Sequence, residues 1–205
     1  WLVIAGALPI DKGTNKFVDL EPLFTAMKDL GVRVAMDSSG EPLKVYATKG
    51  LPSVVKPNAH ELAETVGRDL HTVGDVIDAA RELCDHGIEC VLASLGPDGM
   101  VAVTKDRAWK AKTPPVKVIN TVGAGDATMA GFLSAVAADT KPVAGDDIGY
   151  DVPKGVGAAV QWGAIAVTQP SSGLENLNNM PSSTVTNEPD RTAMLEEPAV
   201  FVHNH

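Results

Sequence analysis

Short apolar runs alternate with amphipathic helical patterns along most of this chain, and that alternation leaves few folds open to it. Residues 1–6, 32–37, 54–56 and 88–95 read as strands, and residues 18–30, 41–48, 58–66 and 72–86 read as helices between them. A strand that returns to its sheet through a helix lies parallel to its predecessor, and the crossovers lay the helices over the sheet faces. The expected fold is therefore α/β, a doubly wound, mainly parallel sheet with helices on both faces. Ligands of such sheets sit at the C-terminal ends of the strands.

Local signals set the boundaries. Gly31, Gly67 and Gly87 fall where three helices should stop. Asn58 caps one helix start, and Thr72 with Asp75 forms a capping-box pattern at another. Gly96-Pro97-Asp98-Gly99 is a strong turn that folds residues 100–104 back as a hairpin. Residues 108–111 and 116–119 read as further strands, 127–138 and 154–168 as helices, and 196–201 as a last strand. Residues 139–153 look like a surface connection, and the Ser-, Asn-, Thr- and Pro-rich stretch 171–193 is expected to be mobile or extended.

The chain has 205 residues, of which 44% are hydrophobic, enough for one substantial core. Its net charge of −9 argues against a nucleic-acid partner, because no basic patch is present to displace counterions. The charge does not exclude a nucleotide, since backbone dipoles and a bound cation reverse the local field in a cleft. The apolar run near the C-terminus is interrupted by Gln161 and is too short to span a membrane. Cys84 and Cys90 lack a metal-binding spacing, as do the five histidines, so the cysteines read as two reduced thiols and a cytoplasmic setting is expected. The chain opens on Trp1 inside an apolar run, which suggests the C-terminal portion of a longer protein.

The segment Asn120-Thr121-Val122-Gly123-Ala124-Gly125-Asp126 carries the chemistry. Two glycines around an alanine let backbone N–H groups converge without interference from Cβ atoms. A helix start adds orphan donors and partial positive charge, so the turn suits a phosphate. A carboxylate there would repel a phosphate that is only stored. Asp126 makes sense as the acceptor of a proton from a hydroxyl that attacks the phosphate. The plainer alternative is an ordinary first-turn acid on a helix.

Thr121-Val122-Gly123-Ala124-Gly125-Asp126 resembles the C-terminal signature of the ribokinase-like (PfkB) carbohydrate kinases. Asp37-Ser38-Ser39-Gly40-Glu41, Lys56-Pro57-Asn58-Ala59-His60-Glu61 and Ser94-Leu95-Gly96-Pro97-Asp98-Gly99 resemble, in order, further segments of the branch that holds 1-phosphofructokinases and tagatose-6-phosphate kinases. The likeness covers residues 1 to about 170, and residues 171–205 then form a polar tail. Two departures stand out. Asn120 occupies a position where many members carry Asp, and Ala7 replaces Ser in a Gly-Ser-Leu-Pro segment.

The resemblance implies a kinase that transfers phosphate from ATP, with Mg²⁺, to a hydroxyl of a sugar phosphate. Fructose 1-phosphate is the first candidate, and the tagatose-6-phosphate kinase and 6-phosphofructokinase activities are the alternatives. It makes Asp126 the general base, and it makes Gly123, Ala124 and Gly125, with the amides of Ala124, Gly125 and Asp126, the holder of developing charge. Lys56, Asn58, Ser94, Gly96, Gly99 and Gly163 would meet the nucleotide, and Glu61 would serve Mg²⁺ through water. Each has a plainer role beside it: a helix cap for Asn58, a tight turn for Gly96 and Gly99, helix packing for Gly163. The family likeness also implies that the sugar site and a β lid lie outside these residues. The chain alone is then expected to bind Mg-ATP weakly with little turnover, and the full enzyme to form a homodimer. A catalytically silent nucleotide-binding fragment remains the reading from a different class. A dinucleotide-binding domain is disfavoured, because Thr128 stands where the third glycine of that fingerprint belongs.

Overall fold

The computed structural model describes residues 1–137, 148–171, 174 and 177–201. In chain order the elements are β1 (Leu2–Ala5), β2 (Ile10–Asp11), β3 (Lys16–Phe17), α1 (Glu21–Asp29), β4 (Val34–Asp37), α2 (Gly40–Thr48), β5 (Val54–Val55) and α3 (Ala59–Val66). There follow β6 (Leu70–Thr72), α4 (Val73–Asp85), β7 (Cys90–Ser94), β8 (Met100–Val103), β9 (Ala108–Lys112), α5 (Ala124–Ala137), α6 (Val152–Val167), β10 (Thr184–Asn187) and β11 (Met194–Ala199).

One sheet of seven strands runs in the order β1-β4-β5-β7-β8-β9-β10. The pairs β1–β4, β4–β5 and β5–β7 are parallel, as the helical connections between them require. The pairs β7–β8, β8–β9 and β9–β10 are antiparallel. The first of these is the hairpin expected from the Gly96–Gly99 turn. Alternation with period two sorts the strand side chains between two cores. Met36, Val55, Val91, Ala93, Val101 and Val103 face a core shared with helices α1 to α4. Ala35, Val54, Cys90, Leu92, Met100 and Ala102 face a second core with α5 and α6. The sheet is thus covered on both sides, and the doubly wound expectation holds.

The local signals explain several boundaries. Asn58 accepts from the Glu61 amide while Glu61 accepts from the Asn58 amide, a complete capping box on α3. Thr72 and Asp75 do the same for α4. Gly67 ends α3 in the left-handed conformation, φ 71°. Cys84 and Cys90 are buried and in no disulfide, and burial pushes the Cys84 thiol up to about 12.

Other boundaries differ. Residues 116–119 form no strand. The Ile119 and Asn120 amides both donate to the Val167 carbonyl at the end of α6, so no ladder partner remains, and Val118 and Ile119 stay exposed. Helix α5 begins at Ala124 rather than 127, because the glycine turn itself winds into the first turn, with Ala127 N–H on the Gly123 carbonyl at 2.9 Å. The stretch 171–193 contains β10, which extends the main sheet along β9. The last strand spans Met194–Ala199 and pairs with β6, a strand the apolar pattern does not announce. The expected 139–153 connection lies largely outside the described residues. Among the described residues no helix is long and apolar enough to cross a membrane.

Candidate active site

The C-terminal ends of the parallel strands line up across the sheet and are joined to one another. Gly6 N–H donates to the Asp37 carbonyl at 2.8 Å, Lys56 N–H to the Met36 carbonyl at 3.1 Å, and Ser94 N–H to the Pro57 carbonyl at 3.0 Å. An isolated parallel bridge joins Asn58 to Ser94. Segments far apart in the chain therefore open side by side onto one cavity of about 400 Å³. Its wall includes Asp37, Lys56, Asn58, Glu61, Ser94 and Asp126. Gly123 and Gly125 close it from the α5 side, and Gly6, Ala7, Ser38 and Ser39 from the β1 and α2 side.

Asp126 lies in the first turn of α5, and its side chain is exposed on this cavity. The amides of the turn divide. Ala124 N–H donates to the Thr121 carbonyl at 3.2 Å, while those of Gly125 and Asp126 meet no acceptor among the described residues. Two of the three amides expected to hold charge are therefore open, and Ala124 instead closes the turn. Asn120 braces the same turn: its side-chain oxygen accepts from Val122 N–H at 3.0 Å, and its amide group donates to the Pro170 carbonyl at 3.3 Å.

Beneath Gly125 sits a pair that the sequence reading left without a role for its acid. Lys56 Nζ lies 3.1 Å from Asp37 Oδ2, with the side chains only 7% and 17% exposed. A Cβ on Gly125 would lie 3.3 Å from Nζ and 3.4 Å from Oδ2, so the turn packs directly onto the pair. Burial pushes the Asp37 carboxyl above its usual range, the Lys56 ammonium opposes that, and the Asp126 carboxylate adds to it. Burial likewise raises Glu61, against the Asn58 amide bond and Lys56. The Ser38 hydroxyl is buried on the cavity wall without a partner among the described residues. An orphaned hydroxyl and two open amides fit a polar, anionic ligand.

Among the described residues no group of three or more His, Cys, Asp or Glu could cage a metal. Mg²⁺ does not need one, because it keeps several waters and takes one or two carboxylates together with phosphate oxygens. Glu61, with one oxygen in the α3 cap, fits the water-mediated role expected of it.

The structure thus gathers Asp126, Gly123, Gly125, Lys56, Asn58, Glu61 and Ser94 around one cavity. It does not bring Ala124, Gly96, Gly99 or Gly163 to that wall. Gly99 has φ 88°, and a Cβ there would meet the Ala111 carbonyl oxygen at 2.1 Å, so the hairpin alone demands glycine. Gly163 faces α5, where a Cβ would lie 2.5 Å from Thr128 Oγ1. Its neighbour Ala164 lines a second cavity of about 520 Å³ with Val116, Thr168, Pro170 and Asn179. Asp37 and Ser38 line the cavity too, although the segment that holds them was read from sequence only as a family likeness without a role. Their signal was position, the end of a strand in a parallel sheet.

A doubly wound sheet whose strand ends meet a glycine-rich helix start bearing a carboxylate is the ribokinase-like architecture. The comparisons agree. The pattern of the pfkB family carbohydrate kinases matches residues 2–179, and the chain belongs to that family. A 1-phosphofructokinase of Bacillus subtilis (strain 168) is 35% identical over 135 residues, 66% of this chain and 43% of the relative. The ATP-dependent 6-phosphofructokinase isozyme 2 of Escherichia coli (strain K12) is 40% identical over 134 residues, 65% of this chain and 42% of the relative. The crystal structure of Escherichia coli phosphofructokinase-2 in complex with substrates and products is similar with a TM-score of 0.67 and 34% identity, covering 81% of this chain and 50% of that one. The chain spans less than half the length of these two curated relatives.

Proposed function

We propose that this chain supplies the nucleotide half and the catalytic base of an ATP-dependent sugar-phosphate kinase. Residues 1–170 carry that half in this reading. The favoured reaction converts fructose 1-phosphate to fructose 1,6-bisphosphate. Tagatose 6-phosphate and fructose 6-phosphate are the alternative acceptors, the last in line with the similarity to a 6-phosphofructokinase and to phosphofructokinase-2 in complex with fructose-6-phosphate. The observation that carries the proposal is the exposed Asp126 carboxylate on a cavity floored by Lys56, beside the open amides of Gly125 and Asp126.

In this mechanism the acceptor hydroxyl lies against Asp126, which takes its proton as the oxygen attacks the γ-phosphorus in line. The Gly125 and Asp126 amides donate to the phosphoryl oxygens as charge redistributes. Lys56 supplies a fixed positive charge below the turn. Glu61 and Asn58 are the residues that would hold Mg²⁺ through water, and the ion would neutralise phosphate charge. A homodimer, as the family resemblance implies, in the cytoplasmic setting that the two thiols suggest completes the proposal.

The test is ADP release by the natural polypeptide that carries these residues, measured with each of the three sugar phosphates. One acceptor should be turned over well above the others. Asp126→Asn should lower kcat by on the order of 10²–10⁴-fold, the range for a lost general base. A variant with kcat near that of the wild type removes Asp126 from the role. Mg-ATP binding without turnover of any acceptor would favour the silent nucleotide-binding fragment.

A further inference from the structure

We propose that Asp37 is a positioning residue that holds Lys56 against the Gly125 turn and so keeps the ammonium from closing onto the Asp126 carboxylate. The inference rests on the kinase reading of the cavity.

Four observations carry it. First, the pair is fixed at both ends. Asp37 ends β4 and its carbonyl accepts from Gly6, while Lys56 follows β5 and its amide donates to Met36. Second, both side chains are withdrawn from water and lie 3.1 Å apart. An ammonium so placed without its counterion would turn to the nearest other carboxylate, because an unpaired buried charge is strongly disfavoured. Third, other carboxylates are at hand. Asp126 and Glu61 line the same cavity, Lys56 acts electrostatically on Glu61 as well as Asp37, and Asp126 acts on Asp37. Fourth, the position matters to the turn, since Nζ lies where a Gly125 Cβ would already crowd it at 3.3 Å.

The consequence is a division of labour among the three acids. Asp37 occupies the lysine. Asp126 stays open to the acceptor hydroxyl. Glu61 stays in its helix cap. If Lys56 swung to Asp126, the base would be masked and the cation would leave the floor of the phosphate turn. Asp37 touches no substrate in this account and acts through Lys56.

The experiment is a double-mutant cycle of Asp37→Asn and Lys56→Met in the natural polypeptide, with kcat, KM for Mg-ATP and thermal melting measured for each variant. Asp37→Asn should lower kcat by roughly 10–100-fold, the scale of a misplacement of about 1 Å, with KM for Mg-ATP changed by less than about threefold. In the Lys56→Met background the same change should lower kcat no further, because the group through which Asp37 acts is gone. Asp37→Glu keeps the charge and should recover part of the loss, and it serves as the comparison if Asp37→Asn does not fold. A signal from the Lys56 ammonium in ¹H–¹⁵N spectra should be protected in the wild type and lost in Asp37→Asn, whatever the turnover. Additive losses in kcat, or an unchanged ammonium signal, would overturn the inference while leaving the kinase reading intact. A wild type without phosphoryl transfer to any sugar phosphate would instead sink the reading on which it rests.

Discussion

Gly163→Ala separates two roles for one residue. The family likeness sets Gly163 beside the nucleotide, whereas the structure sets it against α5. There a Cβ would lie 2.5 Å from Thr128 Oγ1, with Thr128 Cβ at 3.7 Å and the Ala124 carbonyl oxygen at 3.8 Å. The conflict is therefore with one hydroxyl, and that hydroxyl donates to the Ala124 carbonyl at 2.7 Å in the first turn of α5. Rotating it away forfeits a hydrogen bond worth about 1 kcal/mol. Residual crowding between the helices adds about 1–2 kcal/mol. Alanine in a helix interior gives back about 1 kcal/mol relative to glycine. The net loss is about 1–2 kcal/mol, which for a chain of this size is a fall of roughly 2–8 °C in Tm. With Thr128→Ala already present the hydroxyl is absent, and the same substitution should stabilise by about 1 kcal/mol. Urea denaturation of the four proteins should thus show a reversal of sign and a coupling of about 2–3 kcal/mol, within the range for residues in contact. Unaltered stability together with weakened Mg-ATP binding would return Gly163 to the nucleotide site and refute the packing account.

Two further outcomes follow from the cavity. Glu61 is raised by burial, so the folded protein holds its proton more readily than the unfolded chain, and the destabilisation grows as pH climbs from the ordinary carboxylate range to the folded value. Glu61→Gln keeps an oxygen for the Asn58 amide, so it should stabilise the ligand-free protein at pH 8 and lose that advantage in acid. Urea midpoints at the two pH values check this, and an advantage that persists unchanged in acid would contradict the burial account. Gly125→Ala should lower kcat by on the order of 10-fold with little change in Tm, because its Cβ displaces Lys56 by a few tenths of an ångström and leaves the core alone. Turnover equal to the wild type would show that Lys56 tolerates the shift.

The sequence was most legible where the determining contacts are local. The cap at Asn58, the capping box at Thr72 and the Gly67 stop involve residues within a few positions of one another, and each appears in the structure, with Glu61 completing a box at Asn58 as well. The alternation of strands and helices also carries the parallel half of the sheet, because a short connection through a helix leaves little choice. Where pairing spans most of the chain, the pattern is silent. β6 is three residues with only Leu70 fully buried, and its partner β11 lies more than a hundred positions away. β10 is exposed along its length, so it shows no apolar alternation at all, yet it pairs with β9 over four residues. The opposite error occurred at 116–119, where apolar residues suggest a strand but the free amides close onto the end of α6.

The site shows the same division between what a motif names and what a fold arranges. Asp126, Gly125, Lys56 and Glu61 were readable as residue types in a suggestive order. Gly96 and Gly99 were readable too, but glycine at Gly99 is already demanded by the Ala111 carbonyl, so the motif does not separate a turn from a ligand loop there. Asp37 was readable as part of a family-like segment but carried no role, because its role is defined by a lysine 19 positions later that only the β4–β5 pairing brings within reach. Three carboxylates and one ammonium on a single wall leave the described cavity net acidic. A polyphosphate then enters favourably only where backbone donors and an accompanying cation offset that charge. The two amides left open by the α5 turn provide the first of these. Burial raises both Glu61 and Asp37 on that wall, so a positive neighbour would relieve either carboxylate.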